Sequence, residues 1–311
     1  MAQIETEQRH AAQAIHDALG VRLFKKPPEG FDPLQAEDRE LLVYGYPARP
    51  DKAKHPELHE TWKRMASRPL TFIEPQFALR TDKQHGTRNT IANDTSTNWS
   101  GAASFAAKGD SATYVIGQWT VPDVVAPGLG SFYCASWVGI DGDGSPDVLQ
   151  AGTECDVISF GFFTAKQTYV WWEWFPENEV QIANFPVTSG DVMFCAICVH
   201  SDTEAGFYLT NLTTGASTSF TKTAPRGTQL VGNCAEWIVE APTVGGAQSA
   251  LADYGEVFFS VCEGFLTNGN TVNGGTGDNI NMTVGGTTVS DGVLVTPTVV
   301  QCQYVGTLPT P

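Results

Sequence analysis

Basic residues all but disappear from this 311-residue sequence after position 96. Residues 97–311 carry only Lys108, Lys166, Lys222 and Arg226 against 20 acids, whereas residues 1–96 balance 14 bases against 14 acids. The formal charge of −16 therefore belongs to the later part of the chain. Such a surface repels nucleic acid and anionic membranes, so neither is expected as a partner. It also avoids building up positive charge when carboxylates protonate, which suits work in acid. Histidine is equally scarce there, with His200 alone, in Val199-His200-Ser201-Asp202. One imidazole cannot build a multi-His zinc site and gives little basis for a Ser–His–Asp or Cys–His centre. His200 reads as a surface residue. No segment approaches the roughly 18 apolar residues of a membrane span. The opening Met1-Ala-Gln-Ile-Glu-Thr-Glu7 has no basic stretch followed by an apolar run, so a standard secretory leader is not expected. The seven cysteines are an odd number, and Cys195-Ala-Ile-Cys198 lies in a strand-like run. Residues three apart on a strand face opposite ways, so buried free thiols are expected rather than a metal or redox pair.

The remaining residues divide the chain. Ile4, Ala11, Ala14, Ile15 and Leu19 predict a helix over 3–19, and short helical pieces are expected at 36–42 and 56–66 of a Pro-rich stretch. Residues 81–97 are polar and read as a linker. Thereafter β-branched and aromatic runs recur between Gly, Asn, Asp and Pro turns, at 113–121, 133–140, 147–152, 168–175, 191–199, 206–211, 234–240, 256–261 and 293–304. This predicts an all-β fold, a two-sheet antiparallel β-sandwich preceded by a partly helical N-terminal segment. The expected division is 1–96 and 97–311.

Without histidine, hydrolytic chemistry must rest on carboxylates, amides and hydroxyls. Strand parity sorts the candidates. Trp171, Glu173 and Phe175 share one face against Trp172 and Trp174; Glu236, Ile238 and Glu240 oppose Ala235, Trp237 and Val239. Gln150 opposes Leu149 and Ala151, while Trp137 and Asp141 oppose Val138 and Ile140. Each strand thus has a plain core face and a face mixing polar groups with aromatics. Alternating polar residues usually mean a solvated sheet surface. Trp137, Trp171 and Phe175 on that face favour a binding groove. Gln150, Glu173, Glu236, Glu240, Asp141 and Glu154 are its candidates. Two carboxylates could cleave glycosides, or one carboxylate with a neutral amide could hydrolyse peptides. A silent carbohydrate-binding module would use the same face.

Six segments carry a resemblance that separates these readings: Asn98-Trp-Ser-Gly101, Ser136-Trp-Val-Gly-Ile-Asp-Gly-Asp143, Val148-Leu-Gln-Ala-Gly152, Trp171-Trp-Glu-Trp-Phe-Pro176, Asn211-Leu-Thr-Thr-Gly215 and Ala235-Glu-Trp-Ile-Val-Glu240. In this order they resemble the glutamic peptidases, or eqolisins. The resemblance implies a concanavalin-like sandwich and a pepstatin-insensitive acid endopeptidase with Gln150 and Glu236 as its catalytic pair. It places Trp137, Asp141, Trp171 and Glu173 where they line or support the substrate cleft, and it calls for no cofactor and no metal. The chain departs from the pattern at Tyr169 and Glu154, each in place of an Asp, and at Phe175 in place of a Tyr. Residues 42–62 resemble pre-domain sequence of bacterial members. Residues 1–96 are then a prosegment of a secreted, monomeric zymogen. Its bases are expected to hold it against the acidic cleft at neutral pH, with carboxylate protonation loosening it. Asp94-Thr95-Ser96 superficially matches the aspartic-peptidase tripeptide, but it lacks strand context and a second copy.

Overall fold

A computed structural model describes residues 2–92 and 94–306, with side chains from residue 10 onward. Two antiparallel layers are built from β1 (Trp99–Phe105), β2 (Ala112–Thr120), β3 (Gly130–Asp141), β4 (Val148–Phe160), β5 (Phe163–Phe175), β6 (Val192–Ser201), β7 (Glu204–Asn211), β8 (Ala216–Thr223), β9 (Cys234–Glu240), β10 (Glu256–Leu266), β11 (Asp278–Val284), β12 (Thr287–Thr296) and β13 (Val299–Tyr304). The first layer runs β1-β9-β3-β4-β5, followed by the short strand Val180–Ile182. The second runs β12-β13-β10-β2-β6-β7-β8. Strand β11 joins the layers at one edge, pairing β1 with one end and β12 with the other.

The predicted sandwich is what forms, and parity explains why. Leu149, Ala151, Trp172, Trp174, Val138, Ile140, Ala235, Trp237 and Val239 point into the inter-layer core with Val115, Trp119, Cys195, Ile197 and Phe207. Buried indoles still need acceptors. Trp237 donates to the Ile116 carbonyl (2.7 Å) and Trp119 to Thr153 Oγ1 (2.9 Å), each bond crossing from one layer to the other. The cysteines follow the expected geometry: all seven are free and buried, Cys195 in the inter-layer core and Cys198 in a separate cluster on the outer face. His200 is exposed, with Nδ1 3.3 Å from Glu204.

The front segment does more than precede the sandwich. Its helices α1 (Ala2–Ala18), α2 (Asp38–Val43) and α3 (Pro56–Ala66) match the three predicted ones. Leu41, Tyr46, Leu58, Trp62 and Met65 pack on the outer face of the second layer, against Tyr114, Phe194 and Tyr208. Val21–Leu23 extends that layer beside β8, and Phe77–Leu79 extends the first beside Val180–Ile182. The stretch read as a linker is instead packed against the first layer: Lys83 and His85 are fully buried, and Lys83–Gln84 pairs with Thr243–Val244. Polar composition suggested a solvated tether, but these residues meet polar and charged partners that the sequence alone does not place nearby.

Candidate active site

The outward face of the first layer carries the polar–aromatic set in cross-strand rows. One row reads Ala103, Glu236, Gly139, Gln150, Glu173 across β1, β9, β3, β4 and β5. Gln150 and Glu236 thus stand on either side of Gly139, on strands two apart, about 10 Å between backbones at sheet spacing. Gly139 must lack a side chain, because a Cβ there would come within 2.8 Å of the Trp137 indole. The next row contains Ile238, Trp137, Gly152 and Trp171, and the one after it Glu240, Ala135, Glu154 and Tyr169.

The six predicted site residues fall into distinct places. Glu236 is fully buried; its Oε1 accepts from the Asp143 N–H (3.1 Å) and the Cys234 thiol (3.2 Å). Glu236 Oε2 and Gln150 Oε1 have no hydrogen-bond partner among the described residues. Burial pushes the Glu236 carboxyl well above its ordinary range, with nearby Asp143 and Asp141 adding to the effect. Trp137 donates to Glu240 Oε2 (3.0 Å) and packs edge-on to Trp99. Asp141 does not face the open cleft. At φ 69°, its carboxylate takes the backbone N–H groups of Val231, Gly232 and Asn233 at 2.7–2.9 Å, fixing the approach to β9 and hence Glu236.

Trp171 and Glu173 contact the front segment. The His85 ring stacks on Trp171 at 3.6 Å and 8°, and the His85 N–H donates to both Glu173 oxygens (3.0 and 3.2 Å). The His85 carbonyl accepts from Gln150 Nε2 at 2.7 Å. His85 Nε2 lies 2.9 Å from Glu179, and Nδ1 lies 3.3 Å from Glu240. Two residues earlier, Lys83 Nζ meets Asp156 (2.9 and 3.0 Å), Glu154 (3.1 Å) and the Tyr169 hydroxyl (2.9 Å), and sits over the Tyr133 ring. Three residues later, Arg88 pairs with Asp143 at 2.6 Å. Lys83 and His85 thus occupy successive rows of the sheet, as an extended chain laid along the strands would place them.

Sequence reasoning had not singled out Lys83, His85, Arg88, Asp143, Asp156 or Glu179. A signal was available, since Lys83 and His85 are two apart and share one face of an extended chain. His85, Glu154 and Glu179 also bring ligand atoms within 4.8 Å of one another, spacing that could hold a cation. Here Lys83 and the imidazole supply the positive charge beside those carboxylates.

The covered groups titrate away from their ordinary values. Burial alone would lower His85, but the hydrogen bonds to Glu179 and Glu240 together with the charges of Glu240 and Glu154 outweigh it and raise His85 well above its ordinary value. Burial raises Glu154, Glu173 and Glu240 above the ordinary carboxylate range. Lys83 and His85 act in the opposite direction, each favouring the ionised form of the carboxyls it meets: Lys83 at Glu154, and His85 at Glu154, Glu173 and Glu240.

The outward face of the sandwich thus sets a buried carboxylate, Glu236, in one row with an amide, Gln150, that holds a peptide carbonyl. Residues 97–304 match the Peptidase A4 family, and the chain belongs to it: a glutamic peptidase. Aspergillopepsin-2 of Aspergillus niger is 33% identical over 210 residues, which span 61% of this chain and 70% of that protein. Scytalido-glutamic peptidase, solved with a peptide-based transition-state analogue, aligns at 27% identity with a TM-score of 0.56, covering 67% of this chain and 98% of its own. Aspergilloglutamic peptidase from Aspergillus niger aligns at 28% identity and TM-score 0.50, covering 56% of this chain and 99% of its own. Membership brings acid endopeptidase activity and peptide substrates, in place of the glycosidase and lectin alternatives.

Proposed function

We propose that Gln150 and Glu236 form the hydrolytic pair of a pepstatin-insensitive acid endopeptidase that is made as a zymogen, acts outside the cell and works as a monomer. The observation that carries this reading is the row that sets both side chains beside Gly139, with Gln150 already donating to a peptide carbonyl. Gln150 Nε2 stabilises the carbonyl oxygen as it becomes an oxyanion, as a preorganised donor does. Glu236, once ionised, takes a proton from water through Oε2 while Gln150 Oε1 orients the same water; these are the two oxygens without a protein partner among the described residues. Glu236 then passes the proton to the leaving amine. No covalent intermediate forms.

Residues 1–96 act as a prosegment, their Lys83, His85 and Arg88 filling the cleft through which a substrate would run. Pepstatin has no aspartate pair to engage in this arrangement.

Digestion of denatured casein at acidic pH, with pepstatin present, tests the assignment. Glu236→Gln and Gln150→Ala are each expected to lower kcat by about 10²–10⁴-fold, the range for loss of a general base or an oxyanion donor. Undiminished proteolysis by both variants overturns the pair.

A further inference from the structure

One peptide bond of the chain's own front segment is held as a substrate bond would be. At His85 both backbone groups are engaged by side chains of a single sheet row: the carbonyl by Gln150 (2.7 Å), the N–H by Glu173 (3.0 and 3.2 Å). Upstream, Lys83 is locked by Asp156, Glu154 and Tyr169, and its strand is paired to Thr243–Val244. Downstream, the Arg88 N–H donates to the Gly142 carbonyl (3.1 Å), and its guanidinium holds Asp143, whose own N–H is on Glu236. The His85–Gly86 bond therefore lies between an upstream anchor at Lys83 and a downstream anchor at Arg88, whose partner Asp143 also holds Glu236. Gly86 leaves the far side of the bond uncrowded, since even a Cβ there would meet only Phe175, at 3.8 Å.

We propose that His85–Gly86 is the chain's first substrate, cut within the same molecule to begin activation. The inference rests on the reading of Gln150 and Glu236 as the hydrolytic pair. A water oxygen bonds to the His85 carbonyl carbon as Glu236 takes one of its protons. The C–N bond breaks, the Gly86 amine leaves with that proton, and His85 ends as a carboxylic acid. Water is the only other reactant.

The two products have different fates. The new amino-terminal stretch stays tied to the domain, because Asn98 donates to the Thr87 carbonyl (3.1 Å) and accepts from the Asn89 N–H (2.8 Å), beside the Arg88 contacts. The new His85 carboxyl sits close to Glu173, and when both are ionised their like charges favour withdrawal of the upstream piece's new end from the cleft.

The test uses the full chain, purified at neutral pH and then acidified, with intact mass spectrometry and amino-terminal sequencing of timed samples. Fragments ending at His85 and beginning at Gly86-Thr87-Arg88 are expected to appear together. Their first-order rate should not change over about a hundredfold dilution, since a tethered bond meets its site at a fixed effective concentration. Glu236→Gln should yield neither fragment, and Gly86→Pro should lose this pair by making the scissile nitrogen tertiary. The proposal is overturned if the protein digests casein and sheds its front segment but the first new terminus lies elsewhere, or if the rate falls in proportion to dilution. A chain that digests no casein, even after trimming with a second protease, would instead refute the underlying peptidase reading.

Discussion

Besides the short strands that extend each layer, the front segment grips the sandwich by two contrasting kinds of side-chain contact. On the outer layer, Leu41, Tyr46, Leu58, Trp62 and Met65 bury apolar surface against Tyr114, Phe194 and Tyr208. In the cleft, Lys83, His85 and Arg88 meet Glu154, Asp156, Glu179, Glu240 and Asp143. The apolar grip is indifferent to pH and strengthened by kosmotropic salts. The cleft grip is directional, responds to protons, and costs much desolvation that only good pairing offsets. Cutting at His85–Gly86 separates Lys83 and His85 from Arg88, dividing the cleft grip, but leaves the apolar one whole. The upstream piece should then remain docked on the outer layer after the cleft has opened.

Three experiments probe this contrast. The largest effect is expected from Trp62→Ala, which removes a buried indole and its hydrogen bond to the Pro47 carbonyl. Loss of about 3–5 kcal/mol from the apolar grip should show as early thermal release and rapid proteolysis of residues 36–66, with the cleft contacts still protected. Next is Lys83→Met, which keeps much of the side-chain volume and removes the charge that Glu154 and Asp156 share. At neutral pH this should weaken the cleft grip by about 3 kcal/mol, read as faster proteolysis at 81–92 while 36–66 stays protected. Equal loosening of both regions would mean that the two grips are one cooperative unit. The smallest effect is titration of His85. Its raised value means that its contribution is complete below the ordinary pKa of ~6.5 and is lost as pH rises through the higher, covered-state value. Hydrogen exchange of the His85 segment in Glu236→Gln should therefore be slowest in mild acid and quicken at alkaline pH, within about tenfold. Exchange that slows as pH rises, after correction for its intrinsic pH dependence, would reverse the sign.

The same contrast explains what was legible in the sequence. The apolar grip and the sandwich follow from periodicity. Alternation alone sorted Trp171 and Glu173 from Trp172 and Trp174, and helical spacing located α1 and α3. Strand β1 was missed because its Ala-rich Trp99–Phe105 run lacks β-branched residues, and β8 because Ala216–Thr223 is mostly Ser and Thr. The proposed hydrolytic pair could be placed on one kind of face by parity, but which strands are neighbours was not readable, and only the family resemblance chose Gln150 over Glu173. The cleft contacts of Lys83 and His85 escaped because burial of charge depends on partners 71 to 155 residues away. A rule that reads polar stretches as solvated cannot anticipate this.

Gly139 stands between Gln150 and Glu236 in the register of the sheet. Their separation is thus a multiple of the backbone hydrogen-bond pitch, a ruler written in main-chain atoms rather than in side-chain packing. Substitutions around the cleft can change which residues enter it while that gap stays the same. A one-residue register slip of β4 or β9 would turn Gln150 or Glu236 into the core and bring an apolar neighbour outward, so chemistry and folding would fail together. Cleft diversity is cheap in such a scaffold, whereas altered register is not tolerated.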